Sequence, residues 1–413
     1  MRWLAFVPTM VMLIVVLVPR ATFTLSRTST MMRLCVPLTM LLTACRAAPP
    51  AEPLRQEPTA PAAQGAGQAG ATAAPASPKP QDELAMQVDA YLEPMVADGK
   101  FSGSVLLARD GEVLVRKGYG TANLEHDIPN TPQTKFRLGS VTKQFTAMGI
   151  LLLQQQGKLT VSDRICLYIP KCPDAWQEIT IHHLLTHTSG IRNVTDMQDY
   201  QKIKTQPATP IQTMALFRDT QLLFTPCSSY SYSNSGYIVL GYIIETVAKQ
   251  VYPLFLRQEI FKPLDLLNTG YETSIVLKQR ASGYTSGGAF NANYIDMSVP
   301  HAAGGLYSTV EDLYRWDQAL YTERLVPKAA LDTMFTPHAV FPPPGDGGYG
   351  YGWDIFEEEG RRVVGHLGGI EGFSAGITRF PDDKTVIIVL SNLEQVEVGK
   401  ISLDLAKMIF KKR

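Results

Sequence analysis

Strand signals lie at both ends of the sequence and helix signals lie between them. This split leaves the chain few architectures. Residues 102–120 (SGSVLLARDGEVLVRKGYG) read as two strands around an Asp110-Gly111 turn. Segments 350–369 and 377–392 read as further strands, with turns at Glu359-Gly360 and Asp382-Asp383. Segment 398–412 has helical spacing, and from about 130 to 320 the apolar pattern is mostly helical. The economical solution is an α+β fold. One antiparallel sheet is built from both chain ends, with flanking helices and a mainly helical subdomain inserted between them. Sites tend to form in clefts between such subdomains. There is no internal repeat.

Within FRLGSVTKQFTAMGILLLQQQGK (136–158), Ser140 and Lys143 stand one helical turn apart. The apolar run that follows reads as a buried helix, with Gly139 as a break before it and Gly157 as a C-terminal stop. Ser140 then lies at the helix N-terminus, where free N–H groups and the dipole favour a developing negative charge. Lys143 returns to the same face. A lysine desolvated there loses its preference for the charged form and can take the serine proton. A Ser-x-x-Lys alone is a common pattern, and most instances are a capping serine and a surface lysine.

Two further segments change that reading. Tyr232-Ser233-Asn234 stands ahead of an apolar helix in 224–247, and His366-Leu367-Gly368 lies in GHLGGIEGFSAGITRF (365–380). Ser-x-x-Lys, Ser-Asp-Asn and Lys-Thr-Gly, in that order, mark β-lactamases and penicillin-binding proteins. With Tyr-Ser-Asn and His-Leu-Gly in the second and third places, the chain resembles the serine β-lactamase-like hydrolases. Its branch is that of class C enzymes, DD-peptidases, D-aminopeptidases and related esterases. Stretches 179–191, 260–271 and 302–320 support the resemblance, which covers roughly residues 85–410.

The resemblance implies roles. Ser140 is the nucleophile, with Lys143 or Tyr232 as the base; the sequence leaves that choice open. Asn234 bonds Lys143 and a substrate carbonyl, or else only caps a helix. His366, on an edge strand, orients substrate as a cation or donor, or is an ordinary strand histidine. Gly368 and Gly369 permit close backbone approach, and the Gly369 and Ser140 N–H groups form an oxyanion hole. Leu367 departs from the pattern, since penicillin-recognising relatives usually carry a carboxylate-binding Thr there. That disfavours substrates with a free carboxylate. His183 and His187, four apart, have a metal-compatible spacing, but Leu184 replaces the glutamate of the zinc motif. No metal and no organic cofactor is expected.

The chain has 413 residues, 38 basic against 38 acidic, so nothing points to a nucleic-acid partner. Residues 1–45 read as a signal region. The apolar run Leu34–Leu42 ends in Leu42-Thr43-Ala44-Cys45, which looks like a lipobox, with lipidation of Cys45 and a true start at Met31 or Met32. The competing reading is an uncleaved anchor at Trp3–Val18. Residues 46–84, rich in Pro, Ala, Gly and Gln, read as a disordered tether, and 85–413 as the hydrolase domain. Cys166 and Cys172 are a plausible disulfide in an oxidising compartment, or two buried thiols. Cys227 stands where relatives often carry Gly.

The expected function is a membrane-tethered serine hydrolase facing the periplasm or cell exterior, forming an acyl-enzyme on an ester or short-peptide substrate. The alternatives are a β-lactamase or DD-carboxypeptidase, and a penicillin-binding sensor that acylates without turnover. Oligomeric state is not readable.

Overall fold

The computed structural model describes residues 80–343 and 345–411. The readings on the signal region, Cys45 and residues 46–79 lie outside the described residues. Helix α1 spans Pro80–Ala97. Residues 80–84, expected as the end of a tether, instead open this helix, and Leu84 packs against the apolar cluster that includes Val88 and Leu92.

Strands β1 (Gly103–Arg109) and β2 (Glu112–Tyr119) form the hairpin around Asp110-Gly111. Both turn residues have positive φ, as this tight connection requires. Four later strands complete most of the sheet: β3 (Asp354–Glu358), β4 (Arg361–Ile370), β5 (Phe373–Phe380) and β6 (Thr385–Ser391). The sheet order is β2-β1-β6-β5-β4-β3, followed by two short strands, Gly348–Tyr349 and Ala339–Val340, and all pairings are antiparallel. Both chain ends meet directly, since β1 pairs with β6 from Gly103↔Ser391 to Arg109↔Thr385.

Side chains alternate across this sheet, and both faces are buried. Val105 and Leu107 of β1, with Ile387 and Val389 of β6, face α1 and the C-terminal helix α4 (Val398–Phe410). Leu106, Ile388 and Leu390 face the other way, into the helical region. A one-residue slip in register would exchange the two sets, so the apolar pattern fixes the pairing.

Helix α2 (Thr142–Gln155) runs through the centre of the helical region and is buried on every side over residues 142–153. It ends at Gly157, whose φ of +67° suits a left-handed stop. Helix α3 (Asn234–Ala248) packs against it. Thr146 of α2 donates to the Ala302 carbonyl at 2.7 Å, and Thr142 accepts from the Leu306 N–H. These two bonds fix segment 302–306 against the first turns of α2. Cys166 and Cys172 are disulfide-bonded in the loop that follows.

Strand β4 has two different halves. Arg361–Gly365 pairs with β3, and β5 joins on the other side from Val364 onward, whereas His366–Ile370 pairs with β5 alone. The strand is interior to the sheet, yet the half that carries His366 presents a free edge to the helical region.

Candidate active site

Ser140 sits in a short 3-10 turn, Gly139–Val141, that leads into α2. Gly139 has φ +50°, and a side chain there would come within 2.8 Å of the Gly369 carbonyl. A Cβ on Gly368 would lie 2.0 Å from the Leu138 carbonyl and 3.0 Å from the Ser140 nitrogen. The nucleophile's turn and the free half of β4 approach so closely that only glycine fits at both positions.

Lys143 is completely buried. Its Nζ donates to Asn234 Oδ1 at 2.7 Å and to the Ala303 carbonyl at 2.9 Å, and lies 3.0 Å from Ser140 Oγ. Burial holds its pKa well below the ordinary lysine value, with Asp354 pulling weakly the other way. A neutral amine has two N–H donors and one lone pair. The two carbonyl oxygens take the donors, so the lone pair is left for the Ser140 hydroxyl.

Tyr232 is half-buried, with its hydroxyl beside Ser140. Its ring lies 4.8 Å from Lys143 Nζ. Burial pushes its pKa up, against the effect of Ser140, so the phenol stays protonated. Asn234 opens α3, and its side chain is held in turn: Asn193 Oδ1 accepts from both its backbone N–H (2.9 Å) and its Nδ2 (3.2 Å).

His366 lies in the same cluster but is not the cation or free donor that the sequence suggests. Its Nδ1 donates to the Leu367 carbonyl (2.6 Å) and its Nε2 accepts from Tyr349 Oη (2.9 Å). Burial, reinforced by Lys143 nearby, lowers its pKa to about 3 against the Leu367 bond. Both ring nitrogens are occupied and the ring is neutral. Leu367 points to the other face of β4, where its methyls rest against Gly376 and Gly399.

His183 and His187 diverge. His183 closes a helix cap with Thr180. His187 is buried in the tyrosine cluster, 4.4 Å from the Tyr232 ring, and its Nδ1 accepts from the Ser233 N–H. Among the described residues, no group of three His, Cys, Asp or Glu is placed to hold a metal. Cys227 is exposed with φ +71°, a conformation that favours glycine.

Four contributors were not legible. Asn193, the Ala303 carbonyl and Tyr349 are reached only by tertiary contact. The fourth, Asp354, is a half-buried carboxylate at the start of β3. Burial raises its pKa to about 7, with Lys143 opposing the rise. Ser140 opens on a pocket of about 250 Å3 lined by Asn234, Ile238, Ala303, Gly369 and Glu371. Glu371 is neutralised by Lys204 at 2.9 Å.

This arrangement has known counterparts. The model of the family described as Beta-lactamase matches residues 88–406. The chain belongs to the beta-lactamase family. Penicillin-binding protein 4* of Bacillus subtilis (strain 168) is 30% identical over 318 residues, which span 72% of this chain and 69% of that protein. The octameric penicillin-binding protein homologue from Pyrococcus abyssi superimposes with a TM-score of 0.71 at 29% identity, covering 79% of this chain and 78% of that one. A D-stereospecific amidohydrolase from Streptomyces sp. gives 0.67 at 28% identity, covering 79% and 98%. As a member of the beta-lactamase family the protein is a serine hydrolase with the β-lactamase/transpeptidase-like fold.

Proposed function

We propose that the protein hydrolyses an ester or amide through an acyl-enzyme, with Ser140 as nucleophile and neutral Lys143 as its base. The observation that carries this is the placement of buried Lys143: its Nζ is 2.7 Å from Asn234 Oδ1, 2.9 Å from the Ala303 carbonyl and 3.0 Å from Ser140 Oγ, so a neutral amine gives its two hydrogens to the carbonyl oxygens and its lone pair to the hydroxyl. Ser140 Oγ attacks the substrate carbonyl as Lys143 takes its proton. The Ser140 and Gly369 N–H groups bind the developing oxyanion. Tyr232, kept as a phenol, passes a proton to the leaving group and regains one from Lys143. Water then cleaves the acyl-serine by the same route in reverse.

The substrate we propose is a small ester, amide or short peptide without a free carboxylate beside the scissile bond. Neutral His366 offers no cation, Leu367 offers no hydroxyl, and Lys204 is already paired with Glu371. The similarity to a D-stereospecific amidohydrolase favours D-amino-acid amides. We place the protein in the cell envelope, tethered through lipidated Cys45; intact mass of membrane-extracted protein should show an acylated chain beginning there. Mixing enzyme with a D-phenylalanine p-nitroanilide or a p-nitrophenyl ester should give steady turnover and an acyl adduct on Ser140. A single burst without turnover would instead make it a sensor.

A further inference from the structure

The three most exposed large apolar residues of the described chain lie together, whereas Val340, Phe290 and Leu167 are exposed elsewhere. Val276, Leu267 and Ile275 are 89%, 82% and 78% exposed, and Val251 and Leu254 join them around one groove of about 790 Å3. Single exposed leucines are normal on a soluble surface, whereas a contiguous set marks an interaction face. The groove shares no lining residue with the Ser140 pocket. Its charge is one-sided. Arg257 and Lys262 line it, and neither ion-pairs with a carboxylate among the described residues. The only carboxylate lining it, Glu272, is buried and held by Arg137 and Arg280 at 2.9 Å each. The groove thus presents protruding aliphatic groups beside free cations.

We propose that this face docks on an anionic lipid surface. Three observations select that occupant. The apolar groups at the lip stand proud of the surface, as insertion into a headgroup layer requires, whereas a ligand pocket would enclose them. The free cations complement anionic headgroups. Finally, 34 residues separate Cys45 from Pro80. If Cys45 is the lipidated end proposed above, no conformation of that segment carries Pro80 more than about 120 Å from the membrane. The inference rests on the envelope reading only for this last point.

The test uses the full chain with Cys35, Cys45 and Cys227 changed to Ser, so that no acyl chain contributes, and Val276→Cys carrying an environment-sensitive fluorophore. Vesicles of phosphatidylglycerol and phosphatidylethanolamine should shift its emission to the blue. Phosphatidylcholine vesicles should shift it little, and high salt should reduce the response. Arg257→Glu with Lys262→Glu should weaken vesicle affinity at least tenfold by the same signal. A label at exposed Glu178→Cys should stay silent. An unchanged spectrum at 276 on vesicle-bound protein overturns the proposal. So does a blue shift without lipid that grows with protein concentration, which would assign the face to a second copy. Ester hydrolysis is measured on the same samples: its absence counts against the acyl-transfer reading and leaves docking untouched, and the groove variants should retain it.

Discussion

The helical wall of the cleft and the sheet wall each bury a titratable group, Lys143 and His366, but they leave different chemistry available. On the helical wall, Lys143 Nζ reaches the Asn234 and Ala303 oxygens and Ser140 Oγ, so as a neutral amine it gives two hydrogens to the carbonyl oxygens and keeps one lone pair for the hydroxyl. On the sheet wall, His366 has its proton tied to the Leu367 carbonyl and its other nitrogen covered by Tyr349. Desolvation lowers the pKa of both Lys143 and His366. Only the lysine is left with an unshared pair facing a substrate-accessible atom. The base therefore resides on the helices, and the strand supplies backbone and shape.

The largest effect should come from breaking the helical wall. Ser140→Ala should lower kcat/KM by a factor on the order of a thousand or more and abolish fluorophosphonate labelling. Lys143→Ala should cost about as much, and the double variant little more, because the two act as one unit. Lys143→Arg should be as poor as Lys143→Ala, since a guanidinium keeps its charge and has no lone pair to give. Full activity in Lys143→Arg would move the base role elsewhere.

The sheet wall should govern selectivity. A substrate carboxylate at the sheet wall meets the neutral His366 ring, since the Leu367 side chain lies on the other face of β4, and so loses hydration without gaining a side-chain donor, at a cost of roughly 1–3 kcal/mol. That corresponds to a preference of about tenfold to a hundredfold for substrates lacking it. Comparing p-nitrophenyl esters with a penicillin and a D-Ala-D-Ala peptide, for wild type, Leu367→Thr and His366→Lys, measures this preference. Leu367→Thr should leave it nearly unchanged, since the 367 side chain lies on the face of β4 away from the Ser140 pocket, whereas His366→Lys should narrow it. Lowering the pH to 5 should not, because His366 remains neutral until far more acidic conditions. Efficient wild-type β-lactam turnover restores the β-lactamase alternative.

The two walls also differ in how far they could be read from sequence. Ser140 and Lys143 are one helical turn apart, which local periodicity showed, whereas Tyr232 and Asn234 were legible only through the resemblance that the Tyr-Ser-Asn motif carries. The both-ends sheet was legible through alternation along β1 and β6. What escaped depends on contacts between distant segments. Asn193 lies 41 residues before the Asn234 it holds, and Ala303 lies 160 residues after Lys143. His366 was singled out as a cation or hydrogen-bond donor; the burial that keeps it neutral and the Tyr349 contact, from a two-residue strand, have no local signal.

Asn193 sharpens the comparison at smaller scale. Its carboxamide oxygen fixes Asn234, which fixes Lys143. Asn193→Ala should lower kcat about tenfold with KM little changed, the loss of about 1–1.5 kcal/mol expected for such a hydrogen bond. Asn193→Asp keeps the acceptor and should recover part of the activity.

The smallest effect is expected at Asp354, and it is a shift more than a loss. Its carboxyl pKa is raised to about 7 in the folded protein, against an ordinary aspartate value of 3.8. Between those values the folded state holds a proton that the unfolded state has released. Stability therefore falls as pH rises through this window, and the loss is complete above about pH 7. Asp354→Asn removes the group, so its melting temperature should decline less than that of wild type between pH 4 and 7. The same change acts on the base. Once ionised, Asp354 favours the ammonium form of Lys143, which holds the acid limb of the kcat/KM profile at higher pH. Asp354→Asn should move that limb to lower pH while leaving the plateau within a few-fold of wild type. A residue that only packs the strand would lower the plateau and leave the limb where it is.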